Sequence, residues 1–318
     1  MRRVELFFVF LVEYCFIDGL SGLNWKQDDG FNPEEHENYK LLPPKNSCGT
    51  NGAVTQTKNV KIFGGYETQL GEIPWIAQYG VITNGTFGGI GGASLISERY
   101  VLIAAHCNVG EFAEAYVRLG EWNTTEDPDS QGDLHAPPVQ DIKIAEIIPH
   151  KDYHSLKNDI ALIRLETTAT LGFFVQPVCL PYGAAMSKDF TNQDALAAGW
   201  GSIKGSDGPF PPTLLALKQT VADAEKCREA YAKIDNEVNY NDGKICFGGD
   251  EGKNVCFGDS GGPLLWKGSF EPDITVRTYL LGLTSYGPDR YNCALKGFPG
   301  VFTRTNFFMK WILDHMRA

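Results

Sequence analysis

Gly258-Asp259-Ser260-Gly261-Gly262-Pro263, followed by the apolar run Leu264-Leu265-Trp266, decides how this chain is read. A serine set between a carboxylate and two glycines has little steric shielding, and glycine admits backbone turns that other residues resist. Such a turn can aim the amide N–H groups of Gly258 and Ser260 at one point, which is what stabilising an oxyanion beside a nucleophile requires. Serine alone is a weak nucleophile at neutral pH, so the chemistry needs a base and a group that orients the base. Both stand upstream. Ala104-Ala105-His106-Cys107 closes the strand-like run Tyr100-Val101-Leu102-Ile103, and Asn158-Asp159-Ile160-Ala161-Leu162 opens another. Taken singly, each motif has a plainer explanation: a glycine-rich turn, a packed core histidine, a strand-start carboxylate. Together, in the order His106, Asp159, Ser260, they form a candidate catalytic triad.

This order and these motifs resemble the chymotrypsin/trypsin family of serine proteases; subtilisins and α/β-hydrolases run their triads in other orders. The resemblance covers about residues 48 to 318. It implies an all-β, chymotrypsin-like fold of two six-stranded antiparallel β-barrels with a C-terminal helix, the triad lying in the cleft between them. It also implies roles: Ser260 attacks the peptide carbonyl, His106 serves as base then acid, and Asp159 orients it. The pattern itself agrees with the class, since strand-like runs alternate with Gly, Pro, Asn and Asp turns. Phe307 to Leu313 carries apolar residues at helical spacing and reads as a packed terminal helix.

The chain has 318 residues and a formal net charge of −11, which argues against nucleic acid or an anionic membrane as partner. Met1-Arg2-Arg3 ahead of apolar Leu6 to Leu11 reads as a secretory signal, residues 1–21. Glu13 and Asp18 interrupt the run well short of the roughly 20 apolar residues that a membrane span needs. Eight cysteines agree with an oxidising, extracellular destination. Residues 22 to about 47 are polar and acidic (Asp28-Asp29, Glu34-Glu35, Glu37) and read as the flexible part of a pro-segment spanning 22–61. The protease domain is then 62–318.

Lys61-Ile62-Phe63-Gly64-Gly65 resembles the family's activation junction. Cleavage after Lys61 would free the α-amino group of Ile62 to pair with the Asp259 carboxylate and set the oxyanion loop, so the uncut chain is expected to be a zymogen. By the same resemblance Cys48 pairs with Cys179 and tethers the pro-segment, Cys227 with Cys246, and Cys256 with Cys293. Gly91 stands where the family has the half-cystine partner of Cys107. Cys107 is therefore left unpaired, expected as a buried, inert sulfur.

One subgroup is closer still. Leu41-Leu42-Pro43 ahead of Cys48-Gly49, Val117 to Asn123, Asp127-Pro128-Asp129 and Pro137 to Ile142 look like the clip-domain serine proteases of arthropod body fluid. Ser130 and His135 replace two of that subgroup's cysteines, and the six-cysteine clip domain is not found in residues 1–61. The resemblance implies an innate-immunity or melanisation cascade. Its protein partners would be a substrate, an upstream Lys/Arg-specific activating protease and a serpin-type inhibitor. No cofactor is required. Glu121, Asp127, Asp129 and Asp133 are hard oxygen donors close in sequence, so a calcium loop is weighed against an ion-free acidic loop, the latter slightly ahead. Asn84-Gly85-Thr86 and Asn123-Thr124-Thr125 are glycosylation acceptors, making the product a candidate glycoprotein.

Asn254, six residues before Ser260, stands at the base of the family's primary pocket, where trypsin-like members carry aspartate. An asparagine offers the same shape without the charge, so a buried cation would lose its partner. With Val255 as an apolar wall, Gly287 and Gly300 as open side walls and Phe257 crowding the entrance, the favoured preference is aromatic or large apolar. Weakened Lys/Arg cleavage is the alternative. Ser285 is expected to support Asp159, and the backbone at Tyr286-Gly287 to pair with extended substrate. A competing class is a non-catalytic, protease-like regulator that binds cascade partners. Loss of the Cys107 bridge and the Asn254 substitution point that way; the three intact triad residues point against it.

Overall fold

A computed structural model describes residues 30–50, 61–62, 65–108, 114–234, 243–270, 273–289 and 291–318. The signal segment 1–21 lies outside the described residues, as do Phe63 and Gly64, and Lys61 and Ile62 are described by backbone alone. A hairpin of β1 (Lys61–Ile62) and β2 (Gly65–Glu67) leads into β3 (Ile76–Thr83), β4 (Thr86–Ser97), β5 (Tyr100–Ile103) and β6 (Ala115–Leu119). A ribbon of β7 (Ser130–Gln131) and β8 (Leu134–His135) precedes β9 (Gln140–Pro149) and β10 (Ala161–Leu165). The second half holds β11 (Asp194–Gly199), β12 (Leu215–Thr220), the helix α1 (Ala224–Tyr231) and β13 (Lys244–Phe247). It ends with β14 (Pro263–Phe270), β15 (Asp273–Tyr286), β16 (Gly300–Arg304) and helix α2 (Met309–His315).

Alternation of apolar residues along the first strands gives one face to a common interior. There β10, β5, β4, β3, β6 and β9 close into an antiparallel barrel, filled by Tyr79, Leu95, Val101, Ile103, Val117 and Ile163. Closure leaves no exposed edge. In the second sheet the strand order is β12-β11-β14-β15-β16-β13, with the β2–β1 hairpin added beyond β12. The six strands curl until their outer ends meet at one bridge, Val221 to Phe247, flanked by Ala222 N–H to Cys246 O (2.8 Å) and Gly248 N–H to Thr220 O (2.9 Å). Closure of this second unit therefore rests on a short seam and not on a full ladder. Its interior carries Ala197, Leu217, Phe247, Leu264, Leu281 and Phe302.

The two short helices serve as braces. Asp223 caps α1 by accepting from Lys226 N–H (3.0 Å), and Cys227–Cys246 ties α1 to β13. Met309, Ile312 and Leu313 of α2 are buried, as the helical spacing predicts.

The polar segment expected to be flexible is ordered over 30–50. Two 3₁₀ turns, 33–35 and 37–41, run along it, and His36 Nε2 meets Asp314 Oδ1 of α2 at 3.1 Å. Asn38 Nδ2 donates to Leu313 O (3.0 Å), Tyr39 packs edge-on against Tyr182, and Leu42 is buried. The Cys48–Cys179 disulfide and main-chain bonds from Gly49 to Pro177 and Thr278 complete the docking. Composition misled here because a few specific anchors, not average polarity, fix the segment.

Candidate active site

The end of β5 and the start of β10 are adjacent antiparallel strands, so the residues just beyond them come together. A 3₁₀ turn over Ala105–Cys107 turns His106 toward Asp159. His106 N–H donates to Asp159 Oδ1 (2.9 Å), and Nδ1 pairs with Oδ2 at 2.8 Å. Asp159 has no exposed surface. Ser285 at the end of β15 donates to Oδ2 (2.6 Å), and Thr303 of β16 donates to the main-chain carbonyl of Asp159 (2.8 Å). Burial pushes the Asp159 carboxyl upward, but the hydrogen bonds and charges around it, His106 foremost, hold it below the ordinary carboxylate range. Burial likewise depresses the imidazole, yet the Asp159 carboxylate outweighs it and raises His106 above its usual value. Thr303 was not singled out in the sequence, because a threonine within a strand carries no signal of its own.

Ser260 sits on a turn that depends on glycine. Gly258 has φ +94° and Gly261 φ +76°, and a Cβ on Gly261 would lie 2.4 Å from Gly92 O. The Ser260 carbonyl accepts from Gly92 N–H (2.8 Å), which docks this turn on β4 of the first barrel, against the Ala104–Cys107 turn. Among the described residues, the amides of Gly258 and Ser260 donate to no protein acceptor. No hydrogen bond joins Ser260 Oγ to His106 Nε2; that nitrogen has Cys107 Sγ at 3.8 Å. Such contacts are often long until substrate is present. Cys107 is a free, buried thiol, and a Cβ built on Gly91 would lie 3.2 Å from its sulfur. The other two expected pairs are bonded as well, Cys227–Cys246 and Cys256–Cys293.

Asp259 points the opposite way from Ser260. Its Oδ1 accepts from Gly201 N–H (2.9 Å) and its Oδ2 from Cys256 N–H (2.8 Å). Gly199 and Gly201 allow that approach, since a Cβ on either would come within 2.5 Å of the carboxylate. Protein surrounds the group except where it meets a cavity of about 150 Å³, lined by Gly65, Gly199, Gly201, Asn254 and Cys256. Burial pushes its carboxyl up to about 6, against the pull of those two amides.

In the same cavity wall, Asn254 Oδ1 accepts from Val255 N–H (2.9 Å) and Nδ2 donates to Phe298 O (3.3 Å). A Cβ on Gly300 would lie 2.5 Å from Asn254 Oδ1, while one on Gly287 would meet nothing. Tyr286 packs edge-on against Tyr231, and Val255 is buried. Phe257 does not line this cavity. It is half-exposed beside Phe210 in a separate cleft of about 330 Å³ with Phe87, Ile90 and Trp200.

In the acidic loop most carboxylate oxygens are held by the protein itself. Both Asp129 oxygens accept main-chain bonds, from Trp122 (2.7 Å) and Asn123 (3.0 Å), and Asp127 accepts from Val139 N–H (3.0 Å). Glu121 Oε2 pairs with Arg118, leaving one buried oxygen, Oε1, unbonded. Among the described residues no three such side chains are placed to hold a metal, so calcium enters no step below. Burial and the neighbouring Asp129 push Glu121 up to about 7. Of the two acceptor asparagines, Asn84 is exposed at the β3–β4 tip, whereas Asn123 is half-buried and accepts from Thr125 Oγ1 (2.8 Å).

What such a site can do is transfer an acyl group from a peptide to serine, the chemistry of a serine endopeptidase. The sequence model of the Trypsin family matches residues 62–312, and the chain belongs to that family. CLIP domain-containing serine protease HP8 of Bombyx mori is 36% identical, over 87% of this chain and 73% of that protein. Phenoloxidase-activating factor 3 of Holotrichia diomphalia is 37% identical, over 87% and 77% respectively. The crystal structure of the Drosophila Grass clip serine protease of the Toll pathway superposes with a TM-score of 0.71 at 28% identity, covering 87% of this chain and 77% of that one. The protein is a trypsin-family serine endopeptidase, similar to clip-domain cascade proteases of insects.

Proposed function

We propose that this endopeptidase is a secreted zymogen, activated by cleavage after Lys61, that cuts protein substrates in an extracellular cascade of the immunity or melanisation type. The observation that carries the catalytic part is the buried Asp159 paired to His106 beside a glycine turn whose Gly258 and Ser260 amides are unengaged. His106 takes the Ser260 proton as Oγ attacks the scissile carbonyl. The Gly258 and Ser260 amides stabilise the resulting oxyanion, and His106 returns the proton to the leaving amine. Water then repeats the sequence to release the acyl group.

Activation follows from Asp259. Among the described residues no cation pairs with this carboxylate, yet the cavity beside it is walled by Gly65, three residues beyond Ile62. A new Ile62 amine entering there would supply the missing charge. Asn254 gives the primary pocket a neutral base, which favours aromatic or large apolar residues over lysine and arginine. An enzyme so built is badly suited to cut after its own Lys61, so a separate Lys/Arg-specific protease activates it. The names of the relatives, which speak of phenoloxidase activation and the Toll pathway, support the cascade setting. Secretion is supported by the leader and the three disulfides, and no helix among the described residues is long and apolar enough to cross a membrane.

The test is a peptide-library profile before and after scission at Lys61. Cleavage after Phe, Tyr or Leu, present only after scission, is expected. Cleavage after Arg or Lys would overturn the pocket argument, and rapid self-cleavage at Lys61 would overturn activation by a second protease.

A further inference from the structure

Strand β13 carries a charge where its neighbours are apolar. Lys244 heads Ile245-Cys246-Phe247 and is 3% exposed. Its Nζ donates to Ser285 Oγ (3.0 Å) and to Thr303 Oγ1 (3.4 Å), and lies 5.4 Å from the centre of the Tyr286 ring. Both of those hydroxyls in turn hold Asp159, Ser285 at Oδ2 and Thr303 at the main-chain carbonyl. An ammonium has donors only, and a hydroxyl has one proton. Each hydroxyl that accepts from Lys244 must therefore direct its own proton onward to Asp159.

We propose that Lys244 is a positioning residue of the triad: it fixes the Ser285 and Thr303 hydroxyls toward Asp159 and places a positive charge behind that carboxylate, opposite His106. This rests on the triad proposed above. Burying an ammonium is costly unless other groups compensate it, and an uncharged side chain of equal length would fill the same space without that cost. Among the described residues the compensation includes Asp159, reached through hydroxyls, and the face of Tyr286.

The charge has a direction of effect. A cation behind Asp159 favours the ionised carboxylate and opposes protonation of the imidazole in front of it. It keeps His106 available as a base at lower pH than the Asp159 pair alone would allow. Among the described residues, the titratable groups facing this site are Asp159 and His106, with Cys107 beyond the imidazole, and Tyr286, which packs on Tyr231 of α1. Burial lowers Lys244 itself to about 8, with Asp159 opposing, so the ammonium is present at neutral pH and is lost in mild alkali.

The experiment uses the full chain cleaved after Lys61. A fluorophosphonate probe reports the rate of Ser260 modification across pH, and proton NMR of the His106 Nδ1–H in a Ser260→Ala background reports the imidazole without turnover. Lys244→Met is expected to lower the plateau rate about tenfold and to move the acid limb and the NMR titration up by about one unit. Lys244→Gln, one atom shorter, keeps a donor but no charge; it should recover part of the plateau rate lost in the methionine variant while shifting the acid limb as far, and it carries the test if the methionine variant does not fold. Lys244→Met should cost less in a Ser285→Ala background than in the wild-type background, because the lysine acts in part through that hydroxyl. Folded Lys244 variants with unchanged rate and unchanged acid limb would overturn the proposal. Labelling that survives Ser260→Ala would instead defeat the triad assignment, leaving the two failures distinct.

Discussion

Asp259 offers the sharpest test of how cleavage and catalysis are linked. In the uncut chain its carboxylate faces a cavity, is bonded to the Gly201 and Cys256 amides, and has no cation partner among the described residues. Its folded value, about 6, lies above the ordinary 3.8, so between these pH values the folded state keeps a proton that the unfolded state has released. Stability from this group is therefore greatest below about pH 4 and is lost as pH rises through 6. At neutral pH the loss is roughly 2–3 kcal/mol, at the low end because the adjoining cavity admits solvent. Asp259→Asn cannot ionise, so this slope vanishes, while one lost amide bond costs about 1–3 kcal/mol at every pH. Urea unfolding of the uncut Ser260→Ala protein, with and without Asp259→Asn, reads the difference from about pH 4 to 7. The asparagine variant should be the weaker one at pH 4 and draw level by pH 7. Glu121 and Asp129, also raised by burial, titrate alike in both proteins and cancel. After scission at Lys61 the sign should reverse, since an Ile62 amine paired with Asp259 lowers its carboxyl, and Asp259→Asn should then cost about 3–5 kcal/mol at pH 7. Identical pH slopes in the two uncut proteins, or no reversal on scission, would refute the reasoning.

Other expectations are more local. Gly91→Cys should bond spontaneously to Cys107, given the 3.2 Å from Cβ to sulfur, and thiol titration would show the loss of the free group. A closed loop of about 16 residues offers roughly 3 kcal/mol, but the new Cβ also meets Ser260 O at 2.7 Å, so the net gain in urea unfolding should be smaller. Asn254→Asp should move preference toward arginine and lysine by about 1.5–3 kcal/mol, read as a tenfold to hundredfold change in relative kcat/KM. The new oxygen would face the Phe298 carbonyl until a cation arrives, so an unchanged peptide profile would show that this side chain does not set selectivity. Cys48→Ser should release the pro-segment that ends at Lys61 from the cut chain on a non-reducing gel, whereas the wild-type protein stays joined through Cys179.

Strand content and chain order were legible because the apolar alternation and the turn residues say the same thing locally, and because His106, Asp159 and Ser260 each sit at the end of a recognisable run. What the sequence did not display depends on contacts distant along the chain. Polar composition at 22–47 concealed the docking of His36 and Asn38 on α2 and of Tyr39 on Tyr182, and the burial of Leu42. The sequence also could not show that the Phe257 ring lies beside Phe210, far along the chain. Acidic residues close in sequence left an ion-free loop slightly ahead of a calcium loop, and could not show that main-chain amides bond both Asp129 oxygens and one of Asp127. Lys244 left one trace, a lone charge heading an apolar strand, whose meaning rests on β15 and β16 lying beside it.

The most direct measurement is fluorophosphonate labelling of the purified chain before and after limited cleavage at Lys61, with Ser260→Ala as control. Labelling that is weak before the cut, strong after it and absent in the alanine variant is the predicted result. A cut protein that remains unlabelled at Ser260 would contradict the account and favour a protease-like regulator that binds its partners without cleaving them.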